Sequence, residues 1–265
     1  MPNLKSTAKD LIETYAGPRL MTRLRALYHQ PPLLSGLAAK VFPRRFSSWH
    51  RRRTFGAVYG RGLWGTESGS PFFSGVGSRG DATDDYVARM AALIEDLEAG
   101  LGRPVTIVDL GCGDFAVGRR LLERLPRATY IGCDIVPKLV QHHAATVADP
   151  RASFRVVDIV SDPLPEGDVC LVRQVLQHLG NADIVSFLPK LGAYRSAYVT
   201  EGYPVRVEGP VNPDKPAGSG VRYDWRTGRG RGVELDRAPF DRPVEEVLRT
   251  QSTPFEQVVT YRLTP

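Results

Sequence analysis

The chain has 265 residues, 42% of them apolar, and 35 Lys or Arg against 29 Asp or Glu give a formal net charge of +6. That length and composition fit a soluble globular enzyme with one sizeable core and an appended segment, and no apolar run is long enough to cross a membrane. Three cysteines, at 112, 133 and 170, have neither ligand-like spacing nor an even count for pairing, and the start Met1-Pro2-Asn3-Leu4-Lys5 has no signal-peptide apolar region. A disulfide scaffold is excluded, and a cytoplasmic location is expected.

The positive charge is confined to the beginning of the chain. Residues 1 to 53 hold eleven Lys or Arg against Asp10 and Glu13, a local net of +9, whereas the remainder sums to −3. Periodic pieces at Thr7 to Tyr15, Arg19 to Tyr28 and Leu33 to Val41, separated by Pro18, Pro31-Pro32 and Pro43, predict short helices. Residues 1–54 therefore read as a basic helical extension. Its Arg44-Arg45 and Arg51-Arg52-Arg53 pairs and triplets, flanking Phe46 and Trp49, offer either a surface for phosphates or a clamp on acidic neighbours.

Residues 55–265 read as the catalytic domain, with a cofactor half over about 55–200 and an acceptor-binding part over about 201–265. Phe55 to Gly65 and Ser74-Gly75-Val76-Gly77-Ser78 have the glycine, serine and aromatic content of an ordered binding loop. A helix follows from about Asp81 to Ala99, carrying Met90, Leu93, Ile94 and Leu97. Val105 to Val108 is a buried strand. It runs into the turn Asp109-Leu110-Gly111-Cys112-Gly113-Asp114-Phe115 and then into a helix through Leu122. Gly111 and Gly113 let backbone approach a ligand where a helix N-terminus presents unpaired N–H groups, the setting for an adenosine-bearing cofactor.

Two more strands end in acids: Tyr130-Ile131-Gly132-Cys133-Asp134, about twenty residues beyond the glycines, and Ser153 to Asp158. Successive parallel strands bring Asp109, Asp134 and Asp158 to one edge of a sheet, where open α/β folds bind ligands. The stretch Gly111 to Ala116 also satisfies a nicotinamide-dinucleotide pattern. Asp109 argues against that reading, because an anion beside a pyrophosphate is unfavourable whereas one beside an ammonium is favoured. Of His142-His143, only one can face the site, since adjacent helix positions do not share a face.

With these residues in order, the chain resembles the class I methyltransferases that use S-adenosylmethionine, over roughly residues 105 to 200. The resemblance implies a Rossmann-like α/β fold whose sheet is mostly parallel with an antiparallel edge. It implies that Asp134 binds both ribose hydroxyls and that Asp158 lies near the adenine amino group. Ile135, Ile159 and Arg173 join the cofactor set, with Asp168 to Leu179 as the fourth strand and the helix after it. Phe115 stands where the usual first motif has a third glycine. The earlier segment resembles a bacterial subgroup with Tyr, Trp-Gly and Ser-Gly-x-Gly-Ser before the first strand. By that resemblance Trp64 and the Gly75 to Ser78 turn close over the methionine end, with Ser78 donating to its carboxylate.

The C-terminal third supplies the expected acceptor pocket. A fifth strand, Ala197 to Thr200, leads to Glu201-Gly202-Tyr203-Pro204 and a Pro/Gly-rich polar loop of the kind that forms lids; Gly232 to Phe240 returns toward a last strand pair ending in 255–263. His178 is the candidate base for an acceptor hydroxyl, titrating near neutrality, and Glu201 is the second base or a ligand for sugar hydroxyls. Glu201, Glu208 and Asp214 are too scattered to define a metal site, so metal dependence is left open. The expected function is O-methylation of a small polar metabolite such as a carbohydrate. The alternatives are RNA methylation aided by the basic extension and a non-catalytic interaction subunit; a homodimer is compatible with the sequence.

Overall fold

The computed structural model describes residues 43–263. The helices expected before residue 42 lie outside the described residues. The chain divides into two compact units, Met1–Trp49 and His50–Pro265, and the site lies wholly in the second. Helix α1 (Pro43–Gly60) runs without a break through the expected boundary at 54/55.

Helix α2 (Asp81–Leu101) buries Tyr86, Val87, Met90 and Ile94, the one-face spacing of an amphipathic helix, and stops at Gly102, whose φ of 66° is left-handed. The strands that follow are β1 (Thr106–Leu110), β2 (Thr129–Asp134), β3 (Ala152–Val156), β4 (Val169–Arg173), β5 (Ser196–Pro204), β9 (Val244–Thr253) and β10 (Glu256–Leu263). Helices α3 (Ala116–Arg124), α4 (Pro137–Thr146) and α5 (Asn181–Phe187) lie between them. The seven strands form one sheet in the order β3-β2-β1-β4-β5-β10-β9, parallel through β5, with β10 antiparallel to both its neighbours. This is the mostly parallel sheet with an antiparallel edge that the sequence predicts.

Alternation along β1 shows how the sheet is coated on both faces. Ile107 joins a core with Val87, Met90 and Leu121, while Val108 and Leu110 join a second core with Leu139, Leu176 and Phe187. Strands buried on both sides read as continuous apolar runs, which is why β1 and β4 were legible. The three cysteines are buried and unpaired within these layers.

Four local details differ from expectation. Strand β3 stops at Val156, so Asp158 sits in the loop beyond it. The segment after β4 is a single 3₁₀ turn, Leu176–His178, and the helix proper starts only at Asn181. Strand β5 continues to Pro204 because β10 pairs with it as far as that residue, which places Glu201 inside the strand. A small sheet of β6 (Arg206–Val207), β8 (Arg229–Gly230) and β7 (Tyr223–Asp224) folds the polar C-terminal loop. Strands this short carry no readable period.

Candidate active site

A cavity of about 590 Å³ opens at the C-terminal ends of β1, β2 and β4, within the range of small-molecule sites. Its floor is the turn after β1. Gly111 (φ 82°) and Gly113 (φ 53°) both take left-handed backbone, and a Cβ on Gly111 would run into Val175. Phe115 is also left-handed, at φ 63°. Its ring packs 5.0 Å from Phe154 and 5.2 Å from Tyr130, offsetting a backbone cost of about 1–2 kcal/mol. Its side chain is therefore held in the core on the far side of the turn, and a non-glycine residue there does not fill the cavity.

Asp134 joins this turn to β2. Its Oδ2 accepts from Gly113 N at 3.3 Å and its Oδ1 from Val136 N at 3.0 Å. Burial nevertheless pushes its pKa up to about 6, against these hydrogen bonds. Asp109 is raised to about 6 as well, by burial first, despite accepting the Tyr130 hydroxyl at 2.6 Å and facing the Arg173 charge. Arg173 is clamped by Nη2 to Gly77 O at 2.7 Å, with its guanidinium 5.0 Å from the Tyr86 ring centre. Its buried Nε has no partner among the described residues. Side by side, Asp109 and Arg173 present one negative and one positive group to the same cavity. That pairing suits an ammonium and a carboxylate on one carbon, as at the methionine end of S-adenosylmethionine.

The Ser74–Ser78 segment is fastened to the turn. Ser74 N donates to Asp114 Oδ2 at 2.9 Å and Asp114 N donates to Ser74 Oγ at 2.8 Å, with the Tyr59 hydroxyl 3.1 Å from the same oxygen. Ser78 lines the cavity, but its Oγ donates to Gly75 O at 2.7 Å and accepts from Arg79 Nη1 at 2.7 Å, so its proton is used within the turn. Trp64 lines the cavity too, with Nε1 donating to Ser219 O at 3.2 Å and its ring edge-on to Tyr59. Of the histidine pair, His143 faces the turn, 2.8 Å from Gly113 O; His142 lies against Phe72 with the two rings tilted, centroids 5.5 Å apart.

Asp158, Ile135 and Ile159 also line the cavity. Both Asp158 oxygens are already engaged, accepting from Arg51 Nε (3.2 Å) and Nη2 (2.8 Å), Val160 N (3.1 Å) and Ser161 Oγ (2.8 Å). Arg51 reaches Asp183 Oδ1 at 2.9 Å as well, and Arg52 reaches Asp162 at 3.4 Å. The arginine triplet thus acts, in these two members, as the clamp on acidic neighbours. The sequence held no signal for this partnership, since Arg51 and Asp158 are more than a hundred residues apart.

The two expected bases have different surroundings. His178 lines the cavity with its ring 4.9 Å from Trp64, and its Nδ1 lies 3.3 Å from Gly220 O. Burial, followed by the nearby Lys215 charge, lowers its pKa to about 4, so it is neutral at neutral pH and does not titrate there as expected. Glu201 is almost wholly buried and does not line the cavity. Its Oε1 accepts from Val175 N (3.1 Å) and Leu176 N (2.8 Å) and its Oε2 from Gln177 N (3.0 Å). The placement corrects the reading of Glu201 as a base or sugar ligand: a carboxylate on the inward face of β5 caps the 3₁₀ turn instead. Glu201→Gln should lower the thermal midpoint, at about 1–3 kcal/mol per amide left without an acceptor, while turnover per folded molecule is retained. A collapse of turnover at unchanged midpoint would restore it as a base. No cluster of metal-ligating side chains occurs among the described residues.

The sheet order, the glycine turn and the acid-lined cavity agree with the arrangement that the class I methyltransferase resemblance implies. A family model described as a methyltransferase domain matches residues 108–194, from within β1 to just before β5. The trans-aconitate 2-methyltransferase of Methylobacterium nodulans is 31% identical over 118 residues, 44% of this chain and 43% of that protein. The match thus spans less than half the length of that curated relative. Among solved structures, the 1,6-didemethyltoxoflavin-N1-methyltransferase of Burkholderia thailandensis is 18% identical, with 84% of this chain and 91% of that chain covered and a TM-score of 0.49. The magnesium protoporphyrin IX methyltransferase of Synechocystis is 14% identical, with coverage of 82% and 97% and a TM-score of 0.47.

Proposed function

We propose that this protein transfers a methyl group from S-adenosylmethionine to a hydroxyl of a small polar metabolite, with carbohydrates the first class to test. The observation that carries the reading is the convergence of Asp109, Arg173 and Asp134 around one cavity floored by the glycine turn. Bound there, the sulfonium supplies an activated methyl carbon for in-line displacement. The chain's own residues do the rest. Asp109 and Arg173 hold the ammonium and carboxylate, Asp134 accepts from the ribose hydroxyls, and Ile135, Val157 and Ile159 offer apolar contact to the adenine face. Asp158 supports that end by fixing Arg51 and the 158–162 loop.

His178 is the proposed proton acceptor. Weak basicity suffices when the proton leaves late, from an oxygen already bearing the new bond and strongly acidic. Since its lowered pKa is about 4, it is in the accepting form throughout the neutral range. His178→Ala should cut turnover by about a hundred-fold or more, with cofactor affinity nearly unchanged. In the wild type, no limb assignable to His178 should occur between pH 5 and 8; such a limb near neutrality would contradict its burial.

The RNA reading is disfavoured by the internal engagement of Arg51 and Arg52. Calorimetric titration with S-adenosylmethionine, followed by labelled methyl transfer to glycosides, phenols and RNA, tests the whole proposal. Absence of cofactor binding would overturn it, and salt-sensitive transfer to RNA would replace the acceptor class.

A further inference from the structure

The half of the cavity away from the glycine turn contains a polar group of residues with no role so far. Glu256 opens β10 and lines the cavity, and the Tyr223 hydroxyl of the small sheet donates to its Oε1. Gln177, in the middle of the 3₁₀ turn after β4, lines the same cavity and is almost wholly buried. Between them lies Gly202 of β5. A Cβ built there would meet Glu256 Oε1 at 2.5 Å, Gln177 Oε1 at 3.3 Å and the Tyr223 hydroxyl, so the three groups converge where only hydrogen leaves them room.

The hydrogen-bond accounting of this cluster is lopsided. His178 Nδ1 faces the Gly220 carbonyl at 3.3 Å, which requires a proton on Nδ1 and leaves Nε2 an acceptor. Gln177 Nε2 lies 3.5 Å from that Nε2, which orients the amide nitrogen toward histidine and its oxygen toward Glu256. Gln177 Oε1 has no partner among the described residues although it is shielded from solvent. Two acceptors, an amide oxygen and a carboxylate, thus stand close together, with one phenolic hydroxyl as donor. The neighbouring cations attract Glu256 without donating to either acceptor: Arg173 feels the Glu256 charge but its Nη2 is tied to Gly77, and Arg222 donates to Asn181, Pro213 and Leu179. A buried acceptor without a donor is costly, and a ligand that supplies the donor recovers the loss.

We propose that Gln177 and Glu256, assembled over Gly202, form the subsite that seats the methyl acceptor, and that it takes acceptors presenting hydroxyl or amino groups and rejects those presenting a carboxylate. The proposal rests on the methyltransferase reading for the word acceptor, but the recognition chemistry is independent of it. A hydroxyl or ammonium donates to both oxygens. A carboxylate brings a second anion against Glu256, whose Tyr223 donor is already engaged, and the like charges oppose its binding. The exposed Trp225 ring and Thr253 at the mouth of the cavity add a flat face and a polar edge suited to a ring-bearing polyol or amine.

The test uses the full chain and three probes: methyl glucoside, tyramine and citrate. Saturation-transfer NMR on the wild type should show methyl glucoside or tyramine bound and citrate not. Glu256→Gln, which keeps an oxygen for Tyr223 but removes the charge, should weaken the bound probe about ten-fold and narrow its advantage over citrate; Gln177→Leu should weaken it independently. Cofactor affinity by calorimetry, unchanged within about two-fold in both variants, shows that the fold and the other half of the cavity are intact. Citrate binding as well as the donor-bearing probes, or probe affinity indifferent to both substitutions, overturns the subsite. If the probes bind as described and S-adenosylmethionine does not, the methyltransferase reading falls and the subsite stands. The hydroxyl and amine arms separate the two acceptor chemistries.

Discussion

Asp134→Asn should weaken S-adenosylmethionine by about a hundred-fold or more, because in the role proposed for it the carboxylate accepts from two ribose hydroxyls through two charge-assisted hydrogen bonds of about 1.5–3 kcal/mol each. The same substitution should not destabilise the apoprotein comparably. In the folded state the Asp134 carboxyl is raised to about 6, well above its ordinary 3.8, chiefly by burial. An acid with a raised folded pKa costs stability when ionised, so its contribution improves as pH falls from about 6 toward 3.8. Cofactor binding requires the ionised form and moves the other way. Asp109, also raised to about 6, acts in the same sense. Calorimetry and thermal unfolding between pH 5 and 8 should therefore show affinity falling below about pH 6 while stability from these groups rises. Parallel loss of both in Asp134→Asn would mean that the carboxylate serves the turn and not the ligand.

Arg51→Ala should be the most destabilising single change in the site. Its guanidinium and the Asp158 carboxylate have side chains 5% and 1% exposed, and their contact is 2.8 Å. Removing one member of such a pair leaves an uncompensated buried charge, at about 3–5 kcal/mol. For a unit of this size that corresponds to a fall in the thermal midpoint on the order of 10 °C. Adding Asp158→Asn should recover most of the loss, because the orphaned charge is gone; Asp183→Asn should recover little, since that carboxylate is a quarter exposed and partly hydrated. An Arg51→Ala protein with an unchanged midpoint would return the arginine triplet to the role of a surface for external anions.

The contrast between these residues explains what was legible beforehand. Asp109, Asp134, Gly111 and Gly113 sit at strand ends fixed by apolar runs and turn chemistry, and both signals are local. Trp64 and Ser78 were found through a segment resemblance, and both line the cavity. Ser74 and Asp114, which clasp each other across forty residues, could have been suspected from their places at the head of Ser-Gly-x-Gly-Ser and just after the second glycine. Gln177 and Glu256 had no signal of this kind. Each is an ordinary polar residue, Gln177 just after Val175-Leu176 and Glu256 just before the apolar part of β10, and only the pairing of β10 with β5 brings them together.

Glu201 shows the limit most directly. A carboxylate at the end of a strand is a fair candidate for catalysis, but its register against Val259 of β10 extends β5 past it. The side chain then turns inward to three backbone amides. By itself the sequence determined the parallel sheet, the glycine turn and the order of the strand-end acids, because hydrophobic period and turn residues act over a few positions. Only the tertiary structure decided which polar groups face the cavity and which are spent on one another. That choice depends on desolvation and on partners supplied by distant strands, so burial made His178 neutral, gave Arg51 to Asp158 and left Gln177 and Glu256 lining the cavity.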